Sequence, residues 1–268
     1  MPLPSPPAVS VIVPAYRAGD TIGAALGSVV SAGLARDDVE VVVASDDGID
    51  YAGFAPSGLT CVFVPPGPVG TGPSLARNRA MDVARGDYLA FLDADDLFAP
   101  AYLSTLLPLA RGAGASAGRS LFRLSGRDFL RLPRGDTLSF GDIADSGASF
   151  HVLVRREMAG RFRDILSEDI LHLVETMALC GGTLPIGGTD YIVNLTAGSV
   201  TDQAGVSGRL DRDYRRIIDW ISAGDTRVPP DLRTGAAGIF AAKIGLNAAF
   251  AAQSRFATYY EFVADRLS

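Results

Sequence analysis

Apolar residues come in short bursts through the first hundred positions, and their spacing alternates between two periods. Val9–Val13 (VSVIV) predicts a buried strand stopped by Pro14. Asp20-Thr21 then offers a helix N-cap, and Ile22, Leu26, Val29 and Val30 recur at helical spacing up to Gly33. Val39–Ala44 and Thr60–Val64 predict two more strands, Ser74–Ala84 a helix, and Tyr88–Leu92 a fourth strand. Strands that alternate with helices imply crossover connections and a largely parallel sheet.

Beyond Pro100 the pattern loosens. Tyr102–Ala110 predicts a helix, Gly112–Gly118 a loop of small residues, and residues 119–140 short strands with turns at Ser125-Gly126 and Pro133-Arg134-Gly135. Phe150–Val154 reads as a strand and Ser167–Cys180 as a helix with Ser167 as cap. From about Gln203 the chain is helical again, over Tyr214–Ile221 and a long stretch from about Arg233 to Leu267. The expected organisation is a domain over 1–202, with halves at 8–97 and 98–202, and a helical extension over 203–268.

Composition narrows the class. With 268 residues, 48% of them hydrophobic, the chain can bury one large α/β core or a core plus an appendage. The formal net charge is −6, and the arginines are scattered, which argues against a nucleic-acid partner. Lys243 is the only lysine among 24 basic residues. Cys61 and Cys180 form no CxxC pair and sit in apolar surroundings, as structural thiols of a reducing compartment do. The start, MPLPSPPAVS, has neither the basic region nor the apolar core of a signal peptide. The expected location is the cytoplasm.

The chemistry concentrates at strand ends. In open parallel sheets, ligands bind outside the carboxyl ends of the strands. Those ends carry Pro14-Ala15-Tyr16, Ser45-Asp46-Asp47-Gly48, a Gly/Pro-rich loop, and Asp93-Ala94-Asp95-Asp96. One Asp would serve to cap the next helix, but this many carboxylates on one rim repel each other and call for a cation. Mg²⁺ characteristically takes one or two carboxylates plus the phosphates of a bound substrate. Arg77 and Arg79 fall in the first turns after Ser74, where cations oppose the helix dipole. An anion held by the arginines and the helix N-terminus would remove that conflict; a solvated pair on an exposed face is the structural alternative. Gly67, Gly70 and Gly72 are followed by no Gly-Lys-Ser/Thr and make no nucleotide-phosphate loop of Walker type.

Three blocks, VSVIVPAYRAGDTIGAALGSVV, VEVVVASDDG and LARNRAMDVARGDYLAFLDADD, resemble in order and spacing the nucleotide-sugar-binding half of a family 2 glycosyltransferase. The resemblance implies an inverting enzyme of GT-A fold: an α/β, Rossmann-like, mostly parallel sheet flanked by helices, here with a C-terminal helical appendage. It implies that Pro14, Ala15 and Tyr16 line the base and ribose, that Asp46 or Asp47 contacts the base, and that Arg77 meets the nucleotide. Within Asp93-Ala94-Asp95, Asp93 would meet the ribose or sugar and Asp95 a Mn²⁺ or Mg²⁺ on the diphosphate. SFHVLVRREM followed by FRDILSEDILHLVETMALCGG resembles the family's Glu-Asp segment, which makes Asp169 the catalytic base. On the residues alone, Glu168 and Asp169 are also good first-turn acids after Ser167.

The chain departs from the family in two places. The usual Asp-Asp-Gly-Ser appears as SDDGIDY, and Asn194 stands where an Arg or His commonly precedes the Ser-x-Thr near residue 199. His172, one turn beyond Glu168, is expected to pair with it, and the role of His151 stays open. Arg209, Arg212, Arg215 and Arg216 beside Ile217, Ile218 and Trp220 suit either an anionic lipid or lipid-diphosphate acceptor, or a solvated basic face over a buried Trp. GAAGIFAAKIGLNAAFAAQ is interrupted by Lys243 and Asn247. A central Lys opposes membrane insertion by about 2.5–3.5 kcal/mol, so this helix is expected to pack on the domain or across a homodimer.

The function expected is metal-dependent transfer from a nucleoside-diphosphate sugar, a UDP-sugar first, to a saccharide or lipid-linked acceptor hydroxyl in polysaccharide or glycolipid synthesis. The inner face of the membrane is the second placing considered. The alternatives are a nucleotide-sugar-binding module without transfer, and a sugar nucleotidylyltransferase. The latter's glycine-rich start with following Arg and Lys is missing after Val9–Val13.

Overall fold

The computed structural model describes residues 6–195 and 206–268. Strands β1 (Val9–Ala15), β2 (Val39–Ser45), β3 (Thr60–Phe63) and β4 (Tyr88–Phe91) lie parallel in the order β3-β2-β1-β4. Both faces of this sheet are covered, which is why its strands read as continuous apolar runs. Alternate residues divide between two cores. Ile12, Val42 and Ala44 meet Ala76 and Ala80 of helix α2 (Pro73–Val83). Val11, Val13, Val41 and Val43 meet Ile22, Ala25, Leu26 and Val29 of helix α1 (Ile22–Val30).

Pro14 does not stop β1. It pairs in register with Ala44, and the strand runs on to Ala15. Leu92 N–H donates to Ile12 O, so the backbone of Ile12 faces β4, and alternation turns Pro14 to the same side. The β1–β4 ladder ends at Ile12 and Phe91, so the proline's missing N–H interrupts no ladder bond.

The second half adds β5 (Leu97–Phe98), α3 (Tyr102–Ala113), β6 (Ala115–Leu124), β7 (Arg127–Leu132), β8 (Thr137–Ser139), α4 (Phe140–Ser146), β9 (Val152–Arg155), α5 (Glu168–Leu179) and β10 (Thr183–Leu195). The sheet continues β4-β9-β6-β10-β5, with β9 antiparallel to both neighbours and β10 parallel to β6. The loop expected at Gly112–Gly118 is instead the end of α3 and the start of β6. Gly114 ends the helix with φ 89°, and the small residues that follow are a packing surface. A Cβ on Gly118 would stand 2.5 Å from the Tyr102 ring, so α3 lies against β6 only because the side chain is absent.

After residue 205 come α6 (Val206–Ala223), α7 (Arg233–Ala251) and α8 (Tyr259–Leu267). The single helix expected from Arg233 to Leu267 breaks before Thr258, which caps α8 in a reciprocal pair with Glu261. These helices share a core with the sheet domain: Tyr214, Ile217, Ile239, Phe240 and Phe262 join Leu89, Phe91 and Val174 in one apolar cluster. One helix among the described residues, Pro230–Ala251, is long and apolar enough to cross a membrane by length and composition. Its buried stripe of Ala236, Ile239, Phe240, Lys243 and Leu246 packs on α6 and α4, the first of the two arrangements expected for it.

Candidate active site

The carboxyl ends of β1, β2 and β4 meet as expected, but the acids there are not equivalent. Asp46 is buried and accepts from Thr71 N–H (3.0 Å), Thr71 Oγ1 (2.6 Å) and Gly72 N–H (2.8 Å). It fastens the Gly/Pro loop to the end of β2. Asp47 accepts from Ser45 Oγ and Ile49 N–H at 3.0 Å, from Tyr51 OH at 2.7 Å, and from Arg17 N–H. Burial would raise its pKa, but those four donors hold it at about 2. Both carboxylates therefore serve the rim's own backbone. Tyr16, in contrast, is 52% exposed at the end of β1, with the Arg17 guanidinium 5.1 Å from its ring centroid. Pro14 and Ala15 lie behind it in the strand.

Asp93, Asp95 and Asp96 also separate. Asp96 is buried, accepts from Asn194 N–H at 2.8 Å, and is pushed well up by burial and by the charges of Asp93 and Asp95. Asn194 Nδ2 donates to Asp95 O at 2.8 Å, so the residue that replaces the family's usual cation stitches β10 to this turn. The Ser-x-Thr that follows it lies outside the described residues. Asp95 is exposed beyond buried Ala94, and the surrounding protein and the Asp93 charge raise its pKa. Among the described residues no group of three or more His, Cys, Asp or Glu side chains is gathered as a metal cage. The donor set offers one free carboxylate on a rim, which fits a hard cation only if a substrate's phosphates complete its shell.

Arg77, expected to meet the nucleotide, is turned to partners within the protein. It is buried, with Nη2 at 2.6 Å from Asp93 Oδ1 and Nη1 at 2.6 Å from Glu168 Oε1. The anion that relieves its conflict with the dipole of α2 is the protein's own pair of carboxylates. Arg77 thus ties the end of β4 to the start of α5, its bond to Glu168 alone spanning 91 residues of chain. The two acids respond in opposite ways. Asp93 would be raised by burial but is held far below the carboxylate range by Arg77 and His151. Glu168 is pushed up to about 7 by burial, against the pull of Arg77 and with the Asp169 charge adding to the rise.

Asp169 follows Glu168 and lines a narrow crevice with Arg77, Ser149, His151 and His172, among the rings of Phe91, Phe150 and Phe162. Ser167 does not cap α5 with its side chain. It stands in the left-handed region (φ 63°) with its hydroxyl 3.2 Å from Tyr214 OH of α6. His172 does not pair with Glu168: its ring stacks on Phe162 at 4.3 Å, and burial and nearby Arg77 hold its pKa down at about 3, so it is neutral. His151 lies flat on Tyr191 (4.1 Å, 6°), with Nε2 3.4 Å from Asp93 Oδ2. Ser149 had no signal in the sequence. Its part depends on packing between segments far apart in the chain.

On α6, Arg209, Arg212, Arg215 and Arg216 are exposed, and Trp220 is half-buried between the Arg163 and Arg216 guanidiniums, 4.5 and 4.6 Å from its ring centroid. Lys243 on α7 is buried, donates to Gly147 O, and stands 5.4 Å from the Tyr214 ring centroid.

The sheet order, the acidic turn after β4 and the acid pair at the start of α5 define the class, a GT-A fold. The chain belongs to glycosyl transferase family 2, whose model matches residues 10–166. It is 30% identical over 230 residues to the succinoglycan biosynthesis protein ExoO of Rhizobium meliloti, which covers 73% of this chain and 63% of that protein. The chain therefore spans less than two thirds of that relative's length. Among solved structures, S. aureus TarS 1-349 in complex with UDP-GlcNAc superposes with a TM-score of 0.66 at 18% identity, over 87% of this chain and 71% of that one. The mannosyltransferase PcManGT of Pyrobaculum calidifontis, in complex with GDP-Man and Mn²⁺, gives a TM-score of 0.54 at 19% identity, over 99% and 82%. At these identities the likeness is one of fold.

Proposed function

We propose that this protein transfers a sugar from a nucleoside-diphosphate sugar, a UDP-sugar first, to an acceptor hydroxyl with inversion at the anomeric carbon. The observation that carries this reading is the double ion pair of Arg77, which fixes Asp93 on the donor side beside Glu168 and Asp169 on the acceptor side. Exposed Tyr16 stacks on the base, and the Asp46 and Asp47 networks hold the loops that frame it. Arg77 acts as the strut between the halves, and the nucleotide is held by the rim around it. Asp169 takes the acceptor's proton as the hydroxyl attacks the anomeric carbon, and the diphosphate leaves with the bonding electrons. Asp95 is the residue that would hold a Mn²⁺ or Mg²⁺, which when bound offsets negative charge on the departing diphosphate.

The name of the succinoglycan relative supports polysaccharide synthesis as the setting. We infer with it a saccharide or lipid-linked acceptor and a cytoplasmic location at or near the membrane face. The exposed arginines of α6 suit peripheral contact with anionic lipid. A thermal-shift panel of nucleotide sugars, with and without Mn²⁺, tests the donor reading. Binding to the folded state stabilises by RT ln(1 + [L]/Kd), about 2.7 kcal/mol at a hundredfold excess over Kd. A panel in which no nucleotide sugar raises the melting temperature would overturn it.

A further inference from the structure

We propose that Ser149 and His151, together with Asp169, form a notch that takes one hydroxyl group of the sugar being transferred, and so determine donor-sugar specificity. This rests on the donor reading above and adds to it the chemical group that is read.

The first observation is a concentration of polar atoms without protein partners. Nine buried side-chain nitrogen and oxygen atoms among the described residues make no hydrogen bond within the protein. Five of them belong to residues that line this one crevice: Arg77 Nε, Ser149 Oγ, His151 Nδ1 and His172 Nε2, with His151 Nε2, whose nearest carboxylate oxygen, Asp93 Oδ2, stands at 3.4 Å. Buried polar groups are nearly always bonded, so such a concentration asks for a guest.

Size and chemistry then define the guest. The crevice measures about 10 Å³, roughly the room one water-sized oxygen needs. Its lining mixes a pure donor (Arg77 Nε), a pure acceptor (the Asp169 carboxylate) and groups that do either (the Ser149 hydroxyl and the neutral His172 imidazole). A carboxylate or an ammonium ion would satisfy only half of such a set. A hydroxyl donates and accepts at once. An acetamido substituent at the same ring position is too large to enter.

The notch is held rigid from behind. Ser120 Oγ donates to Ser149 O at 3.1 Å, Tyr102 OH to His151 O at 3.3 Å, and Tyr259 OH to Ser146 O at 3.3 Å. Lys243 holds Gly147 O. The segment's carbonyls are bound by four other elements, and the His151 side chain, only 10% exposed, is clamped flat on Tyr191. A group whose rotamer is locked by its surroundings is built to read a substrate. Its location fits the transferred sugar, since His151 touches Asp93 on one side and shares the crevice with Asp169 on the other.

The test compares His151→Ala, His151→Gln and Ser149→Ala with the unmodified protein, each checked for folding by melting temperature. Calorimetry measures the affinity for UDP and for UDP-glucose, UDP-galactose and UDP-N-acetylglucosamine, and for GDP and GDP-mannose. His151→Ala should weaken the preferred sugar nucleotide about tenfold, in the range of one lost hydrogen bond, and leave its bare diphosphate unchanged. Ser149→Ala should lose about threefold, with His151→Gln between the two. Discrimination between those sugar nucleotides of the panel that differ at the hydroxyl being read should shrink in parallel. A folded His151→Ala variant that keeps the full preference for sugar nucleotide over diphosphate overturns the proposal, as does an equal loss for both. A lowered melting temperature with an intact preference identifies the notch as the seat of a structural water. If the unmodified protein binds bare diphosphate but gains nothing from any sugar, the notch proposal fails while nucleotide binding stands. If it binds none of the panel, the donor reading itself has failed.

Discussion

The two sides of the rim treat polar groups in opposite ways. On the β2 side, Asp46 and Asp47 together accept seven hydrogen bonds from nearby backbone and hydroxyl groups. On the α5 side, Ser149 and His151 have buried polar atoms that no protein group meets. A saturated acid shapes a loop and gains little from a ligand. An unsaturated one gains its missing bonds only when a ligand arrives. The β2 side is thus saturated scaffold, the crevice side keeps polar atoms free of protein partners, and Arg77 is the joint between them.

The sharpest way to separate the two sides is Asp169→Asn. The amide keeps the size of the side chain, so the fold should survive and donor affinity should fall by no more than about tenfold, the notch's one altered hydrogen bond, while single-turnover sugar transfer at saturating donor should fall by about 10²–10⁴-fold, the range for a lost general base. Near-normal transfer by a folded, donor-saturated variant would put the base elsewhere.

Breaking the joint itself should be felt in stability. Arg77→Ala leaves the Asp93 and Glu168 carboxylates together without their cation, and removing one partner of a buried pair costs about 3–5 kcal/mol. Urea unfolding measures this. If the joint is the cause, adding Glu168→Gln should recover part of the loss, and a midpoint unchanged from the parent would show that the ion pairs do not matter.

Metal dependence tests the exposed acid. Nucleotide affinity should rise at least about tenfold, or about 1.4 kcal/mol, on adding Mn²⁺, and Asp95→Ala should abolish the rise without changing affinity in chelator. Equal affinity with metal and with chelator in the parent would remove the cation from the reading.

The smallest effect is a pH slope. Glu168 titrates near 7 in the folded protein against an ordinary value of 4.5, so between those limits the folded state binds the extra proton. Stability should therefore be greater at pH 4.5 and fall as pH rises to about 7, by at most about 1.4 kcal/mol per pH unit. Asp47 acts in the opposite sense, losing stability only below its ordinary 3.8 as pH falls toward 2. Denaturation midpoints for the parent and Glu168→Gln between pH 5 and 7 isolate the first slope, which the variant should lack.

How far this was legible in the sequence follows from the range of the interactions. Strands β1, β2 and β4 were readable because both their faces are buried, and runs such as VEVVV carry that fact locally. The start of β6 reads as a loop because its residues are small, Gly118 so as to admit Tyr102, a constraint set by a neighbouring helix. No strand was expected over TLPIGGTDYIVNL, where Gly187-Gly188 breaks the alternation and the pairing with β6 shifts register between Ile186 and Asp190. At the site, the sequence shows the residues of the family motifs but not their partners. That Arg77 faces Glu168, or that His151 lies beside Asp93, is decided by how the two halves close on each other.

The burial of Lys243 has a practical consequence. It is the chain's only lysine, and its amine is enclosed by Gly147 and Tyr214, with burial lowering its pKa to about 8. An amine-directed reagent has this one side-chain target and reaches it only when α7 lifts from α4 and α6. The rate of acylation at Lys243, followed by peptide mass mapping that separates it from the N-terminal amine, therefore reports the opening of the C-terminal helices under native conditions and without a mutation. A nucleotide sugar that tightens the wall behind Ser149 and His151 would slow that clock.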